Sequence, residues 1–270
     1  MPGQSFKLTQ LSQSAYQNCY APGGTDECAN VKSTWTVYNA TYNDNPSNGV
    51  YVCICQGSTV TAQSLASNYS QVPLYLRRWV ASISYVPASE GHAYTQAGHI
   101  TFFGTFGFDV LVHESTHAQD QGFSVSSIYL QAIGSDTCVP DDYAQTNNVE
   151  CYAQDMVVFL YKLWRPYDQP VGTNCMANQL KAINSSQAPG LQAYITSTVA
   201  ATVPNTCAVD CFHTVVQGDT LDSIASSLKQ TSQSLILLNT QIGNSTVLYP
   251  GERICLPAQL CKTSRRLLRA

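Results

Sequence analysis

Two segments in the first quarter of the chain alternate between apolar and polar positions. Residues 34–42, TWTVYNATY, and residues 49–55, GVYVCIC, are rich in β-branched and aromatic side chains, and the turn-forming stretch NDNPSNG joins them. Alternation with period two on both sides of a turn predicts a β-hairpin. Residues 98–107, GHITFFGTFG, predict a further short strand that ends in glycine.

Three longer segments predict helices. Residues 62–86 form a helical stretch without clear bounds. A second helix follows the strand at residues 98–107, with Asp109 as its N-cap and Gly122 as its C-terminal stop. The third begins after Thr146 and ends before Pro166, and its apolar residues recur at helical spacing. Glu150 lies on the apolar side of this last helix.

Length and composition restrict the class of protein. The chain has 270 residues, enough for one large domain and one small one, and 44% of them are hydrophobic. Charged residues make up only 11% and the net charge is −4, so no basic face is available for nucleic acid. No apolar run approaches 18 residues, so we expect no membrane span.

The cysteines indicate an oxidising, extracellular location. The chain has 11 cysteines and no C-x-x-C pair, which is typical of a secreted, disulfide-bonded protein. Four N-x-S/T sequons also fit a secreted glycoprotein: Asn39, Asn68, Asn184 and Asn244. The first residues contain no signal-peptide hydrophobic core, so Met1 is interpreted as the start of a mature or trimmed secreted protein.

The number of cysteines on each side of residue 205 predicts how they pair. Four follow that residue and can close as two bridges, whereas seven precede it, so one of these is left without a partner in its domain. Cys151, inside a predicted helix, is the predicted free and buried thiol. Cys19 and Cys28 are expected to staple the polar N-terminal segment.

The stretch VLVHESTHAQDQG, residues 110–122, contains the pattern H-E-x-x-H. On a helix, positions i and i+4 share a face, so His113 and His117 can direct their imidazoles at one metal ion. Glu114 then points beside the metal, where a general base would take a proton from a metal-activated water. Imidazole and carboxylate ligands with an open position favour zinc.

A catalytic zinc site needs a third protein ligand from elsewhere in the fold. Glu150 is the remaining glutamate downstream of the motif within the first predicted domain. It lies on the apolar side of its helix, where an unpaired carboxylate is costly. Glu150 is therefore the predicted third ligand.

The motif and the stretch Tyr143-Ala-Gln-Thr-Asn-Asn-Val-Glu150-Cys-Tyr-Ala-Gln together resemble the gluzincin metallopeptidases, in particular the anthrax lethal factor-like family. The resemblance spans about residues 95–165. It implies zinc ligation by His113, His117 and Glu150, with Glu114 as general base. It also implies that Tyr143 donates a hydrogen bond to the oxyanion of the tetrahedral intermediate.

The chain departs from the gluzincin pattern at two positions. Cys151 replaces an aromatic residue, and Gln154 stands where the family tends to have an acid. Support for a zinc-binding histidine could then come from Gln154, Asp155 or Asp120. The deuterolysin family, which uses an aspartate as third ligand, is the rival resemblance, and it would make Asp142 the ligand.

Zincins generally bind a peptide along an edge strand above the metal. The segment HITFF, residues 99–103, is predicted to be that edge strand. His99 at its start is expected to be a structural or rim residue, and His92 has no assigned role.

Residues 212–257 closely resemble the LysM module. The resemblance implies a βααβ fold and a shallow groove that binds N-acetylglucosamine polymers, either chitin or peptidoglycan. The implied contacts lie in two loops: Gly218, Asp219, Thr220 and Leu221 in the first, and Asn239, Thr240, Gln241 and Ile242 in the second. Leu221 and Ile242 are expected to offer apolar contact to acetamido methyl groups. The flanking cysteines are expected to bridge Cys207 and Cys211 to Cys255 and Cys261 in an order that the sequence leaves open.

Taken together, these features predict an α+β protein of two domains. A zincin-like metallopeptidase domain with an active-site helix and an edge strand covers residues 1–204, a LysM domain covers 205–261, and a basic tail covers 262–270. The predicted function is a secreted zinc endopeptidase that acts on a peptide or protein and is targeted to chitin or peptidoglycan. The alternatives are a non-catalytic glycan-binding protein or effector, and a cell-wall amidase.

Overall fold

A computed structural model describes residues 3–45, 47–164, 173–186, 212–216, 219–239 and 253–257. The described residues fall into two compact units. The larger unit comprises those between residues 3 and 159, together with 175–186. The smaller unit takes residues 160–164, 173–174 and those from 212 onward. The predicted domain boundary near residue 205 lies outside the described residues and stays a prediction.

The larger unit is built on a six-stranded mixed sheet in the order β1-β2-β3-β4-β6-β5. Its strands are β1 Phe6–Gln10, β2 Trp35–Tyr42, β3 Val50–Cys55, β4 Ser82–Val86, β5 His92–Gln96 and β6 His99–Phe103. The pairs β3–β4 and β4–β6 are parallel, and the pairs β1–β2, β2–β3 and β5–β6 are antiparallel. The larger unit therefore has a mixed α/β architecture, which agrees with the predicted combination of helices and strands.

The helices of this unit are α1 Glu27–Asn30, α2 Ala62–Tyr69, α3 Leu74–Arg77, α4 Phe108–Gln119, α5 Ser127–Ser135, α6 Asn148–Trp164 and α7 Ala177–Ser186, and α6 continues into the smaller unit. Short 3-10 helices span Gln13–Cys19, Phe123–Val125, Tyr143–Gln145 and Thr173–Met176. Of these elements, α4, α6 and the 3-10 helix at Tyr143 carry the residues of the predicted metal site.

The predicted β-hairpin is confirmed. Strands β2 and β3 pair antiparallel, with Trp35 opposite Cys55 and Ala40 opposite Val50. Two disulfides fasten the N-terminal segment to this hairpin, Cys19–Cys53 and Cys28–Cys55. The two N-terminal cysteines thus anchor their segment as expected, by bonding to β3.

The helical prediction for residues 62–86 is correct only for its first part. Helices α2 and α3 lie within it, but its last residues form strand β4. All five residues of β4 are buried, and β4 is a central strand that pairs in parallel with β3 and β6. A strand buried on both faces does not alternate, so its apolar residues cannot be told from those of a buried helix by periodicity.

The prediction that residues 99–103 form the edge strand is wrong. Strand β6 lies between β4 and β5, and β5 is at the edge of the sheet within the described residues. Ala97 and Gly98, with φ of 48° and 78°, form the tight turn that folds β5 back onto β6. Two successive positive φ values favour a two-residue hairpin, and Ala-Gly is a weaker signal for it than Asn-Gly.

Helix α4 begins two residues earlier than predicted. Its N-cap is Gly107, so Asp109 lies in the first turn of the helix and is not the cap. The helix ends at Gln119, and Gly122 follows in the left-handed conformation with φ of 85°. Helix α6 begins at Asn148. The side chain of the preceding residue, Asn147, accepts hydrogen bonds from the backbone N–H groups of Val149 and Glu150.

The prediction for Cys151 is confirmed: its thiol is free and buried. A third disulfide, Cys138–Cys175, connects the segment after α5 to the 3-10 helix that precedes α7. Cys255 is also disulfide-bonded, whereas Cys207, Cys211 and Cys261 lie outside the described residues.

The described part of the tail has the predicted order of strand, helix, helix and strand. Strands β7 Phe212–Thr214 and β8 Arg253–Cys255 pair antiparallel, and helices α8 Leu221–Ser227 and α9 Ser232–Leu238 lie between them in sequence. Six buried residues form its core: Val215, Leu221, Ile224, Ala225, Leu235 and Ile254.

Candidate functional site

Three side chains from two helices meet at the predicted metal site. His113 and His117 lie one turn apart on α4, and their Nε2 atoms are 2.9 Å apart. Glu150, in the first turn of α6, places its Oε2 atom 3.0 Å from Nε2 of His113 and 3.1 Å from Nε2 of His117. These three residues could hold one metal ion, since each offers a ligand atom toward the same point.

Burial shapes the chemistry of this cluster. His113 is only 7% exposed, and burial is the largest cause that lowers its pKa, followed by the positive charge of His117. The carboxylate of Glu150 acts in the opposite direction. A lowered pKa favours the neutral imidazole, which is the form that binds a metal.

Glu114 is buried beside the cluster and is held by the edge strand. Thr95, on β5, places its Oγ1 atom 2.7 Å from Oε2 of Glu114 and 2.9 Å from the backbone oxygen of Glu114. Burial raises the pKa of Glu114, whereas the hydrogen bond from Thr95 and the charge of His117 lower it, and the charge of Glu150 raises it further. A carboxyl group with a raised pKa is suited to accept a proton and then to donate it near neutral pH.

The sequence did not identify Thr95. Its contact with Glu114 depends on the β5–β6 hairpin, which brings the edge strand alongside α4. In the folded strand β5 the ends are exposed and the residues between them, including Thr95, are partly buried.

Tyr143 lies near the cluster on its short 3-10 helix. Its ring centroid is 5.8 Å from that of His113, and it hydrogen-bonds Glu150. Burial raises the pKa of Tyr143, and the negative charges of Glu150 and Glu114 raise it further. The phenol therefore keeps its proton as a hydrogen-bond donor, and with 54% exposure the residue remains accessible to a ligand.

Of the three candidates for support of a zinc-binding histidine, Gln154 is the one beside His113. It follows Glu150 by about one helical turn. Asp155 instead accepts a hydrogen bond from Tyr129, and Asp120 accepts from the backbone and the side chain of Ser124.

Asp142 does not belong to the cluster. Its carboxylate accepts a hydrogen bond from Gln145, and it lines a different surface depression with Asp136 and Asp141. Within the described residues, the structure brings Glu150 to the two histidines and leaves the alternative ligand elsewhere.

The two other histidines of this unit have different environments. His99 shares a 2.9 Å hydrogen bond between its Nδ1 atom and the hydroxyl of Ser82, and burial lowers its pKa. His92, which the sequence left without a role, stacks on Phe103 with ring centroids 4.1 Å apart. It also lines the cavity beside the cluster.

That cavity has a volume of about 300 Å³. Its walls come from the start of β5, the loop after β6 and the first half of α4, and Tyr143 and Gln154 complete them. Because His113 and Glu114 lie in its wall, a molecule in the cavity would contact the predicted catalytic residues.

Four of the eight predicted glycan contacts lie within the described residues. Asp219 accepts hydrogen bonds from His213, at 2.7 Å, and from the backbone N–H of Val216, and the bond from His213 is the largest cause that lowers its pKa. Thr220 caps α8 through a reciprocal pair of bonds with Ser223. The other four, Gly218, Thr240, Gln241 and Ile242, lie outside the described residues.

Leu221 and Asn239 have structural roles in this module. Leu221 is 7% exposed and packs in the core. The expectation that its side chain contacts acetamido methyl groups is therefore wrong. Asn239 is fully buried, and its amide bonds the backbone oxygens of Leu235 and Cys255 and accepts from the N–H of Cys255. It thereby ties the end of α9 to β8.

The described residues thus define a mixed α/β protein with a His-His-Glu cluster, followed by a small βααβ module. Residues 13–194 match the family described as Conidiation-specific protein Con-13, and this match covers more than half of the chain. The chain therefore belongs to the Con-13 family. Residues 213–257 match the LysM domain, which supports binding to N-acetylglucosamine polymers such as chitin or peptidoglycan.

One curated relative is Conidiation-specific protein 13 of Neurospora crassa, 30% identical over 160 residues. The alignment covers 54% of this chain and 46% of the relative, so the chain spans about half the length of that protein. No solved structure matches the chain. The relative's name states no reaction.

Three disulfides in the larger unit and the LysM domain agree with an extracellular or cell-wall location. Among the described residues, none of the helices combines the length and the hydrophobicity that a membrane crossing requires.

Proposed function

We propose that this protein is a zinc-dependent, gluzincin-like endopeptidase with a zincin-like catalytic domain, held at N-acetylglucosamine polymers by its LysM domain. The observation that carries the proposal is the convergence of the Nε2 atoms of His113 and His117 with Oε2 of Glu150. Each pair of these atoms is separated by 2.9–3.1 Å. Ligand atoms around a tetrahedral zinc ion, with bonds of about 2.0–2.1 Å, lie roughly 3.3 Å apart.

The composition of the cluster also supports a cation. A carboxylate oxygen and two imidazole nitrogens are all acceptors when the rings lack a proton at Nε2. Hydrogen bonds cannot account for all three short contacts at once. If both Nε2 atoms carried a proton to bond Glu150, the two protons would face each other across 2.9 Å. One divalent ion shared by the three atoms satisfies them together.

In this proposal, bound zinc would supply a water of lowered pKa and a Lewis acid for the peptide carbonyl. Glu114 takes the proton from the attacking water and then transfers it to the leaving amine. Thr95 keeps the Glu114 carboxylate in position through its 2.7 Å hydrogen bond. Tyr143 donates its phenolic proton in a hydrogen bond to the developing oxyanion.

The LysM domain would concentrate the peptidase where its polymer is found. Tethering raises the effective concentration of the catalytic domain near proteins attached to the polymer without any new contact at the active site. We therefore infer a peptide or protein substrate associated with chitin or peptidoglycan, at the cell wall or outside the cell.

Metal analysis of the purified protein tests the proposal. We expect about one zinc per chain, its loss in Glu150→Ala, and its retention in Asp142→Ala, which removes a nearby carboxylate outside the cluster. Retention of zinc by Glu150→Ala would remove the basis of the proposed site. A protein that keeps zinc but cleaves no peptide would instead be a non-catalytic glycan-binding protein, and release of wall peptides alone would indicate an amidase.

A further inference from the structure

The cavity beside the metal site has one acidic wall. Asp109, in the first turn of α4, lines it together with the apolar side chains of Phe106 and Val110. Among the described residues, no lysine or arginine lines this cavity. A ligand group that enters it meets this apolar surface and the carboxylate of Asp109, beside the polar side chains of Thr105 and Gln154.

Asp109 is available to pair with a ligand. Its carboxylate forms no salt bridge with any of the described residues, and the residue is only partly buried. A carboxylate in a cavity wall without a lysine or arginine among its described lining residues favours a positively charged ligand group.

Asp109 and Glu114 both line this cavity, with the apolar side chains of Phe106 and Val110 beside them in the wall. A cationic group in the cavity is attracted to Asp109, and partial exclusion of water strengthens that attraction.

We propose that Asp109 selects substrates that carry lysine or arginine next to the cleaved peptide bond. The inference rests on the proposed peptidase function. These side chains combine an aliphatic stem with a charged end, so the stem packs on Phe106 and Val110 while the charge meets Asp109. A cavity of about 300 Å³ is at the small end of ligand sites, which suits one side chain and the reacting carbonyl.

A cleavage profile over a peptide library is the first test. The zinc-loaded protein should cut next to lysine and arginine. Asp109→Asn, which removes the charge but keeps the shape, should raise KM for a lysine peptide about tenfold, the effect of one partly buried charge pair. It should leave KM unchanged for the matched norleucine peptide. Glu90→Gln, at an exposed acid that does not line the cavity, is the matched control.

A binding measurement makes the test independent of turnover. Zinc-loaded Glu114→Gln, in which the proposed base is removed, should bind the lysine peptide about tenfold more tightly than the norleucine peptide, and the added substitution Asp109→Asn should abolish this difference. Equal affinities of the Glu114→Gln protein for the two peptides would overturn the role of Asp109. A lysine preference in binding, together with no cleavage by the wild-type protein, would instead leave the role of Asp109 intact and contradict the peptidase function.

Discussion

The Oε2 atom of Glu150 lies 3.0 Å from Nε2 of His113, although 37 positions separate the two residues in the chain. Two helices create this contact: α4 presents the histidine in its middle, and α6 presents the glutamate in its first turn. Because both residues are fixed on helices, the cluster does not depend on the conformation of a loop. Such support is what a metal site needs for a defined ligand geometry.

Replacement of Glu114 by glutamine should separate metal binding from catalysis. The amide keeps the size of the side chain but cannot take a proton from water, so turnover should fall by at least 10²-fold. Zinc content should stay at the wild-type level, because Glu114 is not one of the three converging ligands. The measurements are metal analysis and peptide hydrolysis on the same preparation. Peptidase activity close to that of the wild type would refute the assigned base.

Thr95→Val should reduce kcat by about tenfold or more, with little change in KM. Valine has the same shape and suits a strand, but it cannot donate the hydrogen bond to Oε2 of Glu114. Thr95→Ser restores the hydroxyl and should recover most of the activity. If the serine variant were as slow as the valine variant, the effect would come from packing of the edge strand and not from the hydrogen bond.

Tyr143→Phe should lower kcat by about 10²-fold, or about 2.7 kcal/mol of transition-state stabilisation, which is typical for one oxyanion donor. KM should change less than kcat, because the phenol acts on the oxyanion and not on the ground-state carbonyl. Zinc content measured at saturating metal should be unchanged. If this variant retained full activity, the donor would have to be another residue at the cavity.

Part of this site could be predicted from the sequence because it depends on local geometry. The two histidines share a helix face whatever the rest of the fold does, and Glu150 could be identified from its place on the apolar side of a long helix. Thr95 could not, since its contact with Glu114 requires the register of a hairpin whose turn signal is weak. The misassigned strand β4 has a similar cause, because burial on both faces removes the alternation that identifies a strand.

Asp155 should make the stability of the larger unit fall as pH rises. Its carboxyl is buried against Tyr129, and burial raises its pKa to about 7, from an unfolded value of about 3.9. The folded state therefore binds more protons than the unfolded state between these two values, and the free energy of unfolding decreases with pH in that range. Asp155→Asn removes this titration. The stability of this variant relative to the wild type should therefore rise between pH 4 and pH 7, by on the order of 3 kcal/mol. Thermal unfolding at several pH values measures the difference, and a constant difference across the range would show that Asp155 does not titrate as described.

The LysM module should lose polymer binding when Asn239 is replaced by alanine. The Asn239 side chain satisfies the backbone N–H and oxygen of Cys255 and the oxygen of Leu235, all in a buried setting. Its removal leaves these groups without that partner, at a cost on the order of 2–3 kcal/mol, which is a large share of the stability of so small a module. Asn239→Ala should therefore no longer sediment with insoluble chitin or peptidoglycan, and hydrolysis of soluble peptides should be unchanged. Ser226→Ala, at an exposed position of α8, should still bind the polymer. Undiminished binding by Asn239→Ala would mean that the contact between α9 and β8 is not needed to form the glycan-binding surface.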